Sequence, residues 1–172
     1  TLTSTYINEN AGKFPVYSGQ TENDGILGFW KDYEFDFKND VIFCTTVGAK
    51  CMSTKTLKGK FSLSQNCLIM LPKNNEINSK YINYFLQYDF QIRKHLLPSI
   101  LQPSLRMEDL DQYWIILPNI EEQNDIVKLL NTKIDIKQKE IEKNIKKIKL
   151  YSELLNSLIT SVVTGKLKVK GY

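Results

Sequence analysis

The sequence is short of several things, and each shortage narrows what the chain can be. It has one histidine, His95, in 172 residues, which excludes histidine-rich metal centres and paired-imidazole acid–base chemistry. Its three cysteines, Cys44, Cys51 and Cys67, form no CxxC pair and are odd in number. A disulfide framework is therefore not expected, and a reduced, cytoplasmic setting is. These cysteines and His95 lack the short spacing of a zinc site, so no metal is expected. There is no run of about 18 apolar residues, hence no transmembrane helix and no membrane partner. No apolar leader or signal peptide precedes the fold. Because the chain begins at Thr1 rather than Met, it is expected to be a piece of a longer protein. GxGxxG, Walker and Asn/Asp-Pro-Pro-Tyr motifs are all missing, which removes the signatures of dinucleotide, nucleotide and amino-methyltransferase sites. A Cys44–His95 nucleophile pair is open in principle, but nothing orients it, and buried structural cysteines are far commoner. No catalytic residue and no cofactor of its own are assigned.

What is present divides near Pro118. A chain of this length is one domain, or one domain with an appendage, and can bury a core without staples. Residues 1–119 carry twelve basic and twelve acidic side chains; residues 120–172 carry eleven and seven, which supplies the whole net charge of +4. Between Val41 and Asn75 there are five lysines (Lys50, Lys55, Lys58, Lys60 and Lys73) and no acid. A one-signed stretch is the footprint of a phosphate-facing surface, or more plainly the solvated rim of a sheet.

The first part, residues 1–118, reads as mixed α and β. DVIFCTTVG (40–48), KFSLS (60–64) and NCLIMLP (66–72) predict strands. Residues 79–96, with Ile82, Phe85, Leu86 and Phe90 at helical spacing and a cap at Asn78 or Ser79, predict a helix. Its aromatics, Tyr81, Tyr84, Phe85, Tyr88 and Phe90, suit a core better than a stacking platform. MEDLDQ predicts a helical turn and YWIILP (113–118) a short strand.

The second part, residues 119–172, opens on an N-terminal signature. Pro118 stops the preceding segment, Asn119 suits the cap, and Glu122 stands three residues on. No Pro or Gly then occurs before Gly165, which predicts a helix of about 43 residues and roughly 65 Å. Val127, Ile134, Ile141, Ile148, Leu155 and Val162 recur every seven residues. Leu130, Lys137, Asn144, Tyr151 and Leu158 fill the matching d positions. This is a coiled-coil seam, apolar at both ends and polar in the middle, and it predicts dimerisation through these eleven side chains. Gly165 suits the C-terminal cap, and Lys166, Lys168 and Lys170 complement the helix dipole.

The junction LPNIEEQ, the long helix and its end LLNSLITSVVTGKLKV together resemble the specificity subunit of type I restriction-modification systems. GKFPVYSGQTENDGILGF resembles an early segment of that family, and SQNCLIMLP followed by KYINYFL its strand-then-helix middle. The resemblance implies an α+β target recognition domain on a long coiled-coil helix that does no chemistry itself. Its implied partners are double-stranded DNA, a modification (methyltransferase) subunit and, through the complex, a restriction subunit. S-adenosylmethionine, ATP and Mg would sit only on those partner subunits. The family's full subunit has two recognition domains and two antiparallel helices; this chain has one of each, as a half-subunit or C-terminal half would. It would homodimerise or pair with a second recognition half, and read a bipartite site. A recognition fragment of a single-chain restriction-modification enzyme and a coiled-coil adaptor that binds no DNA are the alternatives.

Given that resemblance, three polar segments are candidates for DNA contact. Ser18, Gln20 and Thr21 precede Asn23-Asp24-Gly25, which a simple turn would also explain. Thr45 and Thr46 follow an apolar strand, with Gly48 allowing close approach and Lys50, Lys55, Lys58 and Lys60 available for phosphates. Gln102, Ser104 and Arg106 lie in a polar stretch near Arg93, Lys94 and His95, where a structural connection is the plainer reading.

Overall fold

The computed structural model describes residues 2–19, 22–96 and 103–167. The chain is α+β. In order it forms α1 (Ser4–Glu9), β1 (Ala11–Tyr17), β2 (Ile26–Trp30), β3 (Phe35–Thr45), β4 (Thr54–Leu63), β5 (Cys67–Met70), α2 (Ser79–Leu96), α3 (Met107–Asp111) and α4 (Ile120–Val163). The strands build one sheet in the order β2-β1-β4-β3-β5. Among the described strands only the β1–β4 pair is parallel.

The spine of the sheet is the β3–β4 pair, in which Val41 opposes Leu57 and Cys44 opposes Thr54. Successive residues of β3 alternate between two faces. Val41 and Phe43 join Leu57 and Phe61 on one face. Ile42 and Cys44 face the other, where α2 lays down Tyr81, Ile82, Leu86 and Phe90. A strand covered on both faces has no polar side to show, which is why 41–44 reads as a continuous apolar run. Phe61 and Phe90 keep 1% and 0% of their surface, and burial of each is worth about 1.5–3 kcal/mol.

Helix α2 starts and ends where its periodicity predicts. The Asn78 side-chain oxygen accepts from the N–H groups of Lys80 (2.9 Å) and Tyr81 (3.2 Å), which satisfies two orphan donors of the first turn. Strands β3 and β4 both begin earlier than expected, because their outer ends alternate with polar residues. The stretch 113–118 forms no strand. Instead of a ladder, its carbonyl at Ile116 accepts from the Tyr81 hydroxyl of α2 (2.8 Å), and Tyr113 packs on Phe90. A helix side chain, not a strand edge, is its neighbour. Trp114 is left 90% exposed.

The chain separates into two compact units, residues 1–127 and 128–172. The division falls inside α4, so the first two turns of that helix belong to the first unit. Asn119 caps them, its side-chain oxygen accepting from Glu122 N–H at 2.9 Å. Val127 is buried in the same cluster as Ile42 and Phe90. The second unit is the rest of α4 and its end. Thr132, Thr160 and Ser161 turn their hydroxyls back to the carbonyl four residues earlier, so these polar side chains do not interrupt the helix. Gly165, at φ +70°, ends it, and Leu167 N–H donates to the Ser161 carbonyl (2.9 Å). Among the described residues no helix is long and apolar enough to cross a membrane.

Candidate nucleic-acid interface

The three candidate segments, far apart in sequence, meet in one group of loops. Segment 18–19 leaves β1, segment 46–48 leaves β3, and segment 103–106 leads into α3. Val47 and Ser104 form an isolated antiparallel bridge. Gly48 N–H donates to the Pro103 carbonyl (3.1 Å), and Leu105 N–H to the Thr46 carbonyl (2.8 Å). The β4–β5 turn completes the group: Gly19 N–H donates to the Gln65 carbonyl (3.1 Å), and Thr46 N–H to the Asn66 carbonyl (2.9 Å). A cavity of about 370 Å³ opens among Ser18, Gly19, Val47, Gln65 and Asn66. Gln20, Thr21 and Gln102, also expected here, lie outside the described residues, as do Lys168 and Lys170.

Within this group the expected side chains divide by availability. Thr45 is 1% exposed, and its hydroxyl is taken up by the loop it closes. It accepts from Ser53 N–H (3.0 Å) and donates to the Lys50 carbonyl. Thr45 thus shapes the loop rather than reaching a ligand. Ser18 is buried in the cavity wall. Thr46 is half-buried, while Lys50, Ser104 and Arg106 are exposed. The Asp109 carboxylate accepts from Arg106 N–H (2.8 Å), which starts α3 and leaves the guanidinium outside the cap. Lys94 reaches in from the last turn of α2 to the Ala49 carbonyl (3.2 Å). Among the described residues, Lys50, Lys94 and Arg106 are the cations of this loop group.

The other lysines of the acid-free stretch do not gather here. Lys55 lies on the sheet face of Tyr17 and Phe43, 4.2 Å from the Tyr17 ring centroid and 3.5 Å from the Asp24 carboxylate. Burial pulls its pKa down, and Asp24 works against that. Its charge is already matched inside the domain. Lys58 and Lys60 point to the opposite face by strand alternation. Lys58 borders a hollow shared with Asn39, Asp40 and Asn78. Lys60 sits 4.3 Å over the Tyr33 ring and 3.9 Å from Asp36. A run of like charges in sequence becomes three separate places, because a strand deals successive residues to two faces and a loop carries Lys50 away. Gln65 and Asn66, which the sequence reading passed over, are exposed beside the cavity. The sequence places only Gln65 between KFSLS and NCLIMLP; Asn66 opens the strand expected at 66–72, which in the structure begins at Cys67 and leaves Asn66 in the turn.

Burial raises the pKa of all three thiols. Burial, helped by the neighbouring thiols, pushes Cys44 up to about 12, and burial pushes Cys67 up to about 11. Burial also raises Cys51, against Lys94. Cys44 is fully buried and donates to the Thr45 carbonyl, whereas His95 is exposed in the last turn of α2. Among the described residues no group of three metal-ligating side chains occurs.

The seam residues of α4 are mostly open. Val127 is 7% exposed and serves the core of its own unit. Leu130 is half-buried, and Ile134, Ile141, Ile148, Tyr151, Leu155, Leu158 and Val162 are 37% to 68% exposed. Asn144 is exposed, and Lys137 pairs with Glu140 one turn on (2.8 Å). Leu154, Ile159 and Val163 widen the apolar surface near the helix end.

Residues 1–150 match the type I restriction modification DNA specificity domain. A putative type I specificity subunit of Mycoplasma pneumoniae is 33% identical over 165 residues, covering 92% of this chain and 64% of the relative. The specificity subunit of the type I restriction enzyme MpnII, from the same organism, is 32% identical over 161 residues, covering 90% and 47%. The chain thus spans roughly half to two thirds of the length of these curated relatives. In fold it is similar to the crystal structure of the S subunit from M. genitalium (TM-score 0.57, 21% identity, covering 78% of this chain and 36% of that one). A structure described as underlying assembly and conformational transition of the type I system gives a TM-score of 0.58 at 19% identity, covering 85% and 36%.

Proposed function

The chain belongs to the family of type I restriction modification DNA specificity domains, and from that premise we propose that it reads a DNA sequence for a type I restriction-modification complex. Residues 1–118 are the target recognition domain, and residues 119–172 are the helix that pairs and docks. The observation that carries this reading is the convergence of segments 18–19, 46–48, 65–66 and 103–106 in one group of loops. Lys50, Lys94 and Arg106 supply phosphate contacts there, and polar side chains stand beside them. The domain works in the cytoplasm without a cofactor of its own. S-adenosylmethionine, ATP and Mg belong to the modification and restriction subunits it directs.

Helix α4 pairs antiparallel with the helix of a second recognition half, in another copy or elsewhere in a longer chain. Antiparallel pairing lays apolar ends on apolar ends and brings the polar middle against itself. Two Lys137 side chains would repel there, and Glu140 already neutralises each. Two recognition domains held apart by such a pair read a bipartite site, with helix length setting the unread spacer. The names of the relatives favour a separate specificity subunit over a single-chain enzyme.

The test is co-expression with the host's modification subunit, followed by genome-wide mapping of methylated sites. A symmetric bipartite motif is the result expected of a dimer of halves. An intact complex without methylation would show that a different second half is needed. If no complex forms, the adaptor reading replaces this one.

A further inference from the structure

Reading a base demands a polar side chain that is free, outward and mounted on a backbone that does not move. Most polar residues of this loop group fail one of these conditions. Thr45 is buried and its hydroxyl is engaged. Ser18 is buried. Lys50, Lys94 and Arg106 are cations suited to phosphate.

The turn between β4 and β5 meets all three conditions. Gln65 and Asn66 are exposed, and among the described residues neither side-chain amide has a hydrogen-bond partner. Their backbone, by contrast, is stapled on both sides. The Gln65 carbonyl accepts from Gly19 N–H (3.1 Å) and the Asn66 carbonyl from Thr46 N–H (2.9 Å). Asn66 sits at φ +61°, a left-handed conformation that asparagine tolerates better than most residues. Gly19 lets the first loop come this close: a Cβ there would meet the Asn66 carbonyl oxygen at 2.9 Å and the Asn66 Cβ at 3.0 Å. The two loops on either side therefore clamp the turn, while its two amides stay free.

We infer that Gln65 and Asn66 are specificity-determining residues that read base edges in the major groove, and that Gly19 is the positioning residue that sets the turn. The side-chain amides of Gln and Asn match the N6 donor and N7 acceptor of adenine, so adenine is the base class assigned. This inference rests on the DNA-reading function proposed above, and its test separates the two.

The full chain is incubated with a pool of duplexes carrying a randomised core, and bound duplexes are recovered and sequenced. Wild type is expected to enrich a motif containing adenine. Gln65→Ala and Asn66→Gly are each expected to relax the preference at one adenine by about 5- to 150-fold. Affinity for unselected duplex and the thermal midpoint should stay unchanged. Asn66→Asp, which exchanges an amide donor for an acceptor and tolerates the same φ, should shift that position towards cytosine. Gly19→Ala should weaken preference at the positions that Gln65 and Asn66 read, not uniformly across the motif. If wild type enriches a motif and both Gln65→Ala and Asn66→Gly enrich it with undiminished preference at every position, the inference is overturned while the DNA-reading function stands. If wild type enriches nothing, both fall.

Discussion

Gln123 shows how much a single polar residue can hold. It is 0% exposed, and its side chain closes three hydrogen bonds. Its carbonyl oxygen accepts from Asn78 N–H (2.9 Å), and its amide nitrogen donates to the carbonyls of Glu76 (2.9 Å) and Pro118 (2.8 Å). It thereby ties the start of α4 to the turn before α2. Gln123→Leu keeps the volume and orphans all three groups, at about 1–3 kcal/mol each where they stay buried. Chemical denaturation should show the loss as a lower midpoint with an unchanged slope. Thr45→Val should lower stability in the same measurement by about 0.5–1.5 kcal/mol per lost bond, because it removes the hydroxyl's bonds to the Ser53 N–H and the Lys50 carbonyl. The Ser53 N–H keeps the Lys50 carbonyl at 3.3 Å. Asp89 offers a pH test. Burial would raise its carboxyl, but the Tyr113 hydroxyl and Arg93 (2.7 Å) outweigh that and hold it below its ordinary value. A carboxylate depressed in the folded state stabilises the fold fully above its unfolded value. That contribution is lost as pH falls through the lower folded value. Asp89→Asn should therefore be less stable than wild type at neutral pH, with the gap closing below about pH 4.

At the scale of elements, α4 is the one that cannot be explained by its own chain. An isolated helix draws most of its stability from packing, yet the long stretch past Val127 leaves large apolar side chains in water. Polar residues between them keep it from reading as a membrane span. Leu158→Asp with Val162→Asp should abolish self-association or docking on the modification subunit, as sedimentation or co-purification would report. Unfolding of the first unit should be unaffected, since neither residue belongs to it. If the double variant assembles normally, the pairing role assigned to this helix end is wrong.

At the scale of the whole molecule, the expected property is DNA binding that weakens steeply with salt. Each phosphate contact lowers the log–log slope by about 0.9. Replacing Lys50 and Arg106 with Gln should each make that slope shallower by roughly one. Lys55→Gln should change it little, because that charge is already matched by Asp24.

Sequence alone determined the elements whose signal is local. The limits of α2, the cap at Asn119, the glycine end at Gly165 and the seven-residue seam all follow from neighbouring residues along one helix; between Asn78 and Ser79 as the cap of α2, the structure selects Asn78. The family resemblance rode on the same local features, at the junction and the helix end. β1 and β2 were not legible, because short strands containing Gly12, Pro15 and Gly28 have little periodicity to read. The strand expected at 113–118 was misplaced because an apolar run does not say whether a strand or a helix lies beside it. Only the tertiary structure decided which polar residues could act together. It brought segments 18–19, 46–48 and 103–106 into one group of loops, withdrew Thr45 and Lys55 into the domain, and added Gln65 and Asn66. The reason is physical: pairing across a sheet joins residues by register, not by distance along the chain, and the two faces of a strand separate neighbours that the sequence places side by side.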